Sequence, residues 1–396
     1  MVSSNDRWIL PEGIEEALPD DAFWLESVRR RLIDLYQSWG YQLVMPPFIE
    51  YLESLLTCND NNLDLHTFKL TDQLNGRMMG VRADMTPQVA RIDAHRLQRE
   101  APNRFCYLGT VLSTRSAGFG GTRSPLQVGA ELYGHHGFAS DLEIISLMLE
   151  TLDVCGVESI HVDLGHVGIF RAVAEKSGLA DTEIDILFDM IQRKAIPEIK
   201  AFVVNLDQSA EVTQGLVDLS MLNGGAETLE RARETLAFAG EEVLAYIDSL
   251  VQLEISLRRD YPAVKINFDL AELRGFHYET GVVFAVFVPG EGQEIARGGR
   301  YDGIGKDFGR ARPAVGFSTD LKTLRRISNL ELEQTGRTIF APNESDKALK
   351  EVVLELRRQG DSVIYSLEKN DTDASVQDCS HRLININGQW TVEEMK

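Results

Sequence analysis

Residues 104–133 read RFCYLGTVLSTRSAGFGGTRSPLQVGAELY. Two strand-like runs, 104–112 and 126–133, flank a loop rich in Gly and Ser. The loop is longer than a tight turn and carries no helical period. A doubly wound parallel sheet joins its strands through crossover helices, so this unit points elsewhere. Neither G-x-G-x-x-G nor a Walker A pattern occurs in the chain. Alternation along 126–132 places Gln127, Gly129 and Glu131 on one face of their strand. Such a face suits either the floor of a polar pocket, with Gly129 leaving room for a ligand, or a solvated sheet surface.

Upstream, Phe23, Trp24, Val28, Leu32, Leu35, Tyr36 and Trp39 recur at helical spacing over 22–39, and Gly40 suits the helix end. Gln42–Met45 reads as a short strand stopped by Pro46-Pro47. Asn75-Gly76 between the runs 67–71 and 77–82 is a hairpin signal. Thr86 as N-cap and Pro87 at the first helical position predict a helix over 86–99. Downstream, 140–155 reads as helix and 159–164 as strand. The block from about 166 to 260 is helical throughout and interrupts two strand-rich regions, so it reads as an insertion. Strands return at 264–269, 277–288 and 293–297. A glycine turn follows at GGRYDGIG, then a strand at 312–317 and a helix at 319–328. A polar joint at 331–336 leads to a small αβ unit. The class is α+β, with an antiparallel sheet flanked by helices. Expected domains are 1–330, with the insertion inside it, and 331–396.

The chain has 396 residues, enough for two or three domains with ordinary cores. Its formal net charge is −21, which disfavours a phosphate backbone as partner. Four dispersed cysteines without a C-x-x-C pair argue against a zinc cluster or a disulfide framework. No metal ligand set is read. No signal peptide or membrane span is read either, so the expected compartment is the cytoplasm.

Arg274-Gly275 lies just before a strand. There the guanidinium offers a planar fork to a carboxylate, or forms a surface ion pair. Gly298-Gly299-Arg300-Tyr301-Asp302-Gly303 reads as a turn whose glycines permit positive φ and close approach to a ligand.

Taken together these stretches resemble the histidyl-tRNA synthetases, a class II aminoacyl-tRNA synthetase family, over about residues 8–328. GYQLVMPPFIE (40–50) is similar to motif 1, the dimer-forming segment, and VRADMTPQVAR (81–91) to the L-R-P-E-G-T segment. Residues 109–134 stand where motif 2 belongs. LRGFHYETGVVF (273–284) and ARGGRYDG (296–303) resemble the two histidine-specific motifs, and PAVGFSTDLKTL (313–324) resembles motif 3. The resemblance implies histidine-binding groups at Asp84, Thr86, Gln127, Glu131, Arg274 and Tyr278. His277 and Glu279 replace an Asp and a Tyr of the family pattern.

The phosphate-binding half departs further. Ser113 stands where motif 2 has its arginine, Arg115 where it has Glu, and Thr323 where motif 3 has its arginine. Asp320 adds a negative charge at a small-residue position. Adenylyl transfer needs fixed positive charge on phosphate oxygens. Two lost charge-assisted hydrogen bonds remove roughly 3–6 kcal/mol. Residues 331–396 carry 8 Lys+Arg against 13 Asp+Glu, and are short for an anticodon-binding domain.

These losses resemble the regulatory subunits of ATP phosphoribosyltransferase, a family of histidyl-tRNA synthetase paralogues. The resemblance implies a chain that performs no chemistry and needs no cofactor. It implies a short catalytic subunit as partner, a homodimer within a hetero-octamer, and feedback by L-histidine, without tRNA. Histidine is expected in the pocket of the six residues or at a subunit interface. An active histidyl-tRNA synthetase is the competing reading.

Overall fold

The computed structural model describes residues 8–56, 61–116, 121–206, 208–271, 279–332, 336–367 and 379–395. The chain divides into two compact units, 1–330 and 331–396.

The first unit is built on a sheet of nine described strands. In spatial order they are Gln42–Leu43, Asn103–Thr110, Leu126–Tyr133, Ala314–Asp320, Ala296–Arg300, Val282–Phe287, His161–His166, Lys265–Asp269 and Asn223–Gly224. The pairs 42–43 with 103–110 and 161–166 with 265–269 are parallel, and the edge strand 223–224 is antiparallel to 265–269. The centre is antiparallel, with Glu131 opposite Phe105 on one side and Gly316 on the other.

Two helices cover one face. Pro19–Ser38 opens with Pro at its start and Asp20 and Asp21 in its first turn, which favour the positive helix end. It buries Trp24, Leu25, Val28, Leu32 and Tyr36. Tyr36 meets Phe317 of the sheet edge-on at 6.4 Å. Its hydroxyl accepts from Thr151 Oγ1 at 3.1 Å, a tie to the helix Phe138–Val154. The opposite face carries a second core of Met85, Val89, Phe105, Tyr107, Tyr133, Tyr301 and Ala314. By alternation this is the side of Gln127, Gly129 and Glu131.

The Asn75-Gly76 hairpin forms as expected, with Thr71 opposite Met78 and Gly76 at φ +75°. Ile49–Tyr51 joins it as a third strand. The described residues of 167–260 are helices joined by short loops, apart from the strand Asn223–Gly224, which returns to the edge of the main sheet beside Lys265–Asp269.

Several local expectations need correction. The strand after Gly40 stops at Leu43. Met85, not Thr86, occupies the cap position of the helix Thr86–Arg91, because the Thr86 hydroxyl is drawn into the sheet. The helix then widens into a π turn, Ile92–Leu97, ended by Gln98 at φ +49°. Gly298 and Gly299 lie within the strand Ala296–Arg300 rather than in a turn. Their glycine requirement is packing. A Cβ on Gly298 would strike the Phe284 ring at 2.6 Å, and one on Gly299 the Glu279 carboxylate at 2.8 Å. Finally, the strand from Ala314 runs through Asp320, which caps the helix Leu321–Ile327. Of the strand expected over 277–288, residues 282–287 form one, while 277 and 278 lie outside the described residues.

In the second unit, Thr338–Ala341, the helix Lys347–Arg358 and Ser362–Tyr365 form a β-α-β unit with parallel strands. The hairpin His381–Ile386 and Gln389–Glu394 completes a four-stranded sheet. Leu349, Val353 and Leu356 of the helix pack on Ile339, Val363, Leu383 and Trp390.

Candidate functional site

The strand Leu126–Tyr133 lies between Asn103–Thr110 and Ala314–Asp320, so its polar face is enclosed by both neighbours. Glu131 is 1% exposed and Gln127 is 9% exposed, so the face is a buried polar floor, not a solvated surface. Tyr107 donates to Glu131 Oε1 at 2.9 Å, and Thr86 Oγ1 donates to the same oxygen at 3.0 Å. The Tyr301 hydroxyl closes on Oε2. Gln127 bridges to the chain before the 86–91 helix. Its Oε1 accepts from Met85 N at 3.0 Å and its Nε2 donates to Asp84 Oδ1 at 2.6 Å. Asp84 Oδ1 also accepts from Thr86 N at 3.2 Å.

Asp84, Thr86, Gln127 and Glu131 therefore form one hydrogen-bonded group. Arg274 and Tyr278 lie outside the described residues, as does His277. Burial pushes the Glu131 carboxyl up to about 8, and the nearby Asp84 charge pushes the same way against the hydroxyl donors.

Three residues of this site were not singled out from sequence. Tyr107 faces Gly129 across the strand pair, and a Cβ on Gly129 would meet its hydroxyl at 2.6 Å. The space left by Gly129 thus holds the Tyr107 phenol rather than a ligand. Tyr301 was visible only as part of a glycine-rich stretch. Gly316 is the third: a Cβ there would overlap Glu131 Oε2.

The positions expected to have lost phosphate binding carry out structural work. Ser113 Oγ pairs with His66 Nδ1 at 2.8 Å, and Ser113 bridges Thr67 in β fashion. Arg115 is exposed, and its backbone N–H donates to Ser113 Oγ at 3.3 Å. Arg123, the remaining loop arginine, donates Nε to Ser113 O and a terminal nitrogen to Glu12 O, each at 3.1 Å. Thr323 Oγ1 donates to Asp320 Oδ2 at 2.8 Å, while Asp320 also accepts from Lys322 N, Thr323 N and Leu126 N. The Asp320 charge is thereby placed at a helix N-terminus, where it is favourable. Among the described residues no group of three His, Cys, Asp or Glu side chains is arranged to hold a metal ion. None of their helices is long and apolar enough to cross a membrane.

Residues 13–324 match the family model for histidyl-tRNA synthetase, and residues 336–393 match that for the ATP phosphoribosyltransferase subunit HisZ C-terminal domain. The ATP phosphoribosyltransferase regulatory subunit of Thioalkalivibrio sulfidiphilus is 58% identical over 395 residues, covering 100% of both chains. That of Methylococcus capsulatus is 53% identical, covering 98% of this chain and 96% of its own. A crystal structure of an ATP phosphoribosyltransferase regulatory subunit/histidyl-tRNA synthetase from Bacillus halodurans matches with a TM-score of 0.82 at 27% identity, covering 94% of this chain and 96% of that one. The histidyl-tRNA synthetase of Nostoc shares the fold, with a TM-score of 0.77 at 20% identity over 96% of this chain and 91% of its own. A synthetase-type core with a HisZ-type C-terminal domain, and full-length relatives above half identity, place the chain in the family of ATP phosphoribosyltransferase regulatory subunits.

Proposed function

We propose that this chain performs no chemistry itself and acts in the cytoplasm on a short-form catalytic subunit of ATP phosphoribosyltransferase, a glycosyltransferase. Together they would form phosphoribosyl-ATP from ATP and phosphoribosyl pyrophosphate, the first step of histidine biosynthesis. The chain would sit as a homodimer within a hetero-octamer, without tRNA, and carry feedback by L-histidine. The observation that supports this most is the contrast between the two halves of the site. Ser113 and Thr323 are engaged in local packing and capping, while Asp84, Thr86, Gln127 and Glu131 form one hydrogen-bonded group.

Acidic groups of this kind suit an α-ammonium or an imidazole N–H, and the resemblance assigns Arg274 and Tyr278 to the same pocket. Histidine acts on the complex only through unequal affinity for two of its arrangements. The test is phosphoribosyl-ATP formation by a short-form catalytic subunit, with and without this chain, across a histidine titration. Stimulation by the chain together with inhibition by histidine is expected. An unchanged rate without co-migration of the two proteins overturns the proposal. Histidine-dependent exchange of pyrophosphate into ATP would then favour the synthetase reading.

A further inference from the structure

The helix Thr86–Arg91 meets the polar group at one end and the segment 47–54 at the other. At its start, Asp84 and Met85 are held by Gln127, and the Thr86 hydroxyl by Glu131. From its middle, Gln88 Nε2 donates to Pro47 O and to Glu50 Oε1, each at 2.8 Å. From its last residue, Arg91 donates one terminal nitrogen to Glu50 Oε1 at 2.6 Å, while Ser54 Oγ donates to Glu50 Oε2 at 3.1 Å. The segment is anchored separately, because Arg82 donates to Pro46 O at 2.8 Å and to Thr110 O at 3.0 Å. The tie at Glu50 is incompletely satisfied. Arg91 Nε and Gln88 Oε1 are both buried without a hydrogen-bond partner among the described residues. A guanidinium beside a carboxylate commonly engages both oxygens as a fork. Glu50, Ser54 and Arg91 line an open groove, so their side chains have room to rearrange. Directly after Arg91 the chain widens into the π turn Ile92–Leu97, which can take up a shift of the helix while Asp93 stays on Arg312 and Asn103.

We propose that the tie at Glu50 has two arrangements and that the histidine pocket selects between them. In one, described above, Ser54 holds Glu50 Oε2 and Arg91 binds through a single nitrogen. In the other, Arg91 turns Nε and a terminal nitrogen onto both Glu50 oxygens and Ser54 is released. A ligand held by Asp84 and Thr86 draws on the start of a helix only six residues long, about 9 Å, and favours the forked pair. The effect requires unequal affinity for the two arrangements and is reciprocal, so whatever closes the fork also tightens the pocket. Glu50 is thus a positioning residue that acts through the helix. Met45, Phe48 and Ile49 are exposed beside it, on the segment that resembles motif 1, so occupancy of the pocket is felt at that face. The inference rests on the histidine pocket assigned above and adds its route of regulation.

Titration calorimetry with L-histidine on the full chain, alone and with the catalytic subunit, measures the coupling, and hydrogen exchange reads the amides of 45–54. In the wild type, histidine is expected to slow exchange in this segment. Arg91→Lys keeps the charge but cannot form the fork. It should weaken histidine binding about tenfold and abolish the change in exchange. Ser54→Ala frees Glu50 Oε2 for the fork and should tighten histidine binding about threefold. Damage to the fold would not produce such a gain, and this variant keeps the inference testable should Arg91→Lys fail to fold. Histidine binding without a change in exchange at 45–54, or affinity that both variants leave at the wild-type value, overturns the inference and leaves the pocket standing. Absence of histidine binding by the wild type, or binding that Gly316→Ala leaves unaltered, overturns the pocket assignment itself.

Discussion

Replacing Glu131 by Gln in the ligand-free protein should remove one source of pH dependence from its stability. The ordinary value of a Glu carboxyl is 4.5, and burial raises that of Glu131 to about 8. The folded state therefore holds this proton more firmly than the unfolded state. Stability from this group is fully present below the unfolded value and is lost as pH rises through the folded one. Each pH unit between the two costs about 1.4 kcal/mol. The wild type accordingly loses about 5 kcal/mol from acid pH to beyond pH 8 through this residue alone. Gln has the same shape, keeps an acceptor for Tyr107 and Thr86, and does not titrate. The difference in unfolding free energy, variant minus wild type, should grow by about 3 kcal/mol between pH 5.5 and 8.5. Urea unfolding at the two pH values measures it, and taking the difference cancels the titration of every other group. A difference that stays constant within about 1 kcal/mol would refute the reasoning, because Glu131 would then be ionised and compensated in the fold.

Three further substitutions probe the supports of the site. Gly316→Ala puts a methyl where Glu131 Oε2 lies. It should abolish histidine binding in calorimetry and cost about 1–3 kcal/mol by overpacking, and wild-type affinity would place the ligand elsewhere. Asp320→Ala removes the cap of the helix Leu321–Ile327 and the acceptor for Leu126 N. A loss of about 2 kcal/mol in urea unfolding is expected, and no loss would discount the cap. Asp93→Ala strands the buried Arg312, which now donates to Asp93 at 3.1 Å beside Asn103. The expected cost is about 3–5 kcal/mol, against under 1 kcal/mol were the pair solvated.

Much of the frame was legible because its signals are local. The Asn75-Gly76 hairpin, the amphipathic helix ending near Ser38 and the two strands around the Gly- and Ser-rich loop each follow from a few neighbouring residues. Asn387-Gly388 is an equally clear turn signal, with Asn387 at φ +53° and Gly388 at φ +87°. It joins the hairpin strands His381–Ile386 and Gln389–Glu394. Thr86 shows the opposite case. It has the right type and place for an N-cap, yet Glu131, 45 positions away, takes its hydroxyl. A local preference of about 1 kcal/mol yields to a buried acid that needs every donor it can reach.

The sequence by itself determined the family, the residue types at the positions expected to bind phosphate, and the set of acidic and polar residues from which a pocket could be made. These depend on residue identity and order, which are read directly. Tertiary structure alone decided that the face of Gln127 and Glu131 is buried, that Tyr107 fills the space beside Gly129, and that Tyr301 and Gly316 close around Glu131. Alternation along one strand tells which side chains share a face. It does not tell which strands will flank it, because sheet order and register join segments nearly two hundred residues apart, and the protonation of a carboxyl follows from what those neighbours place around it.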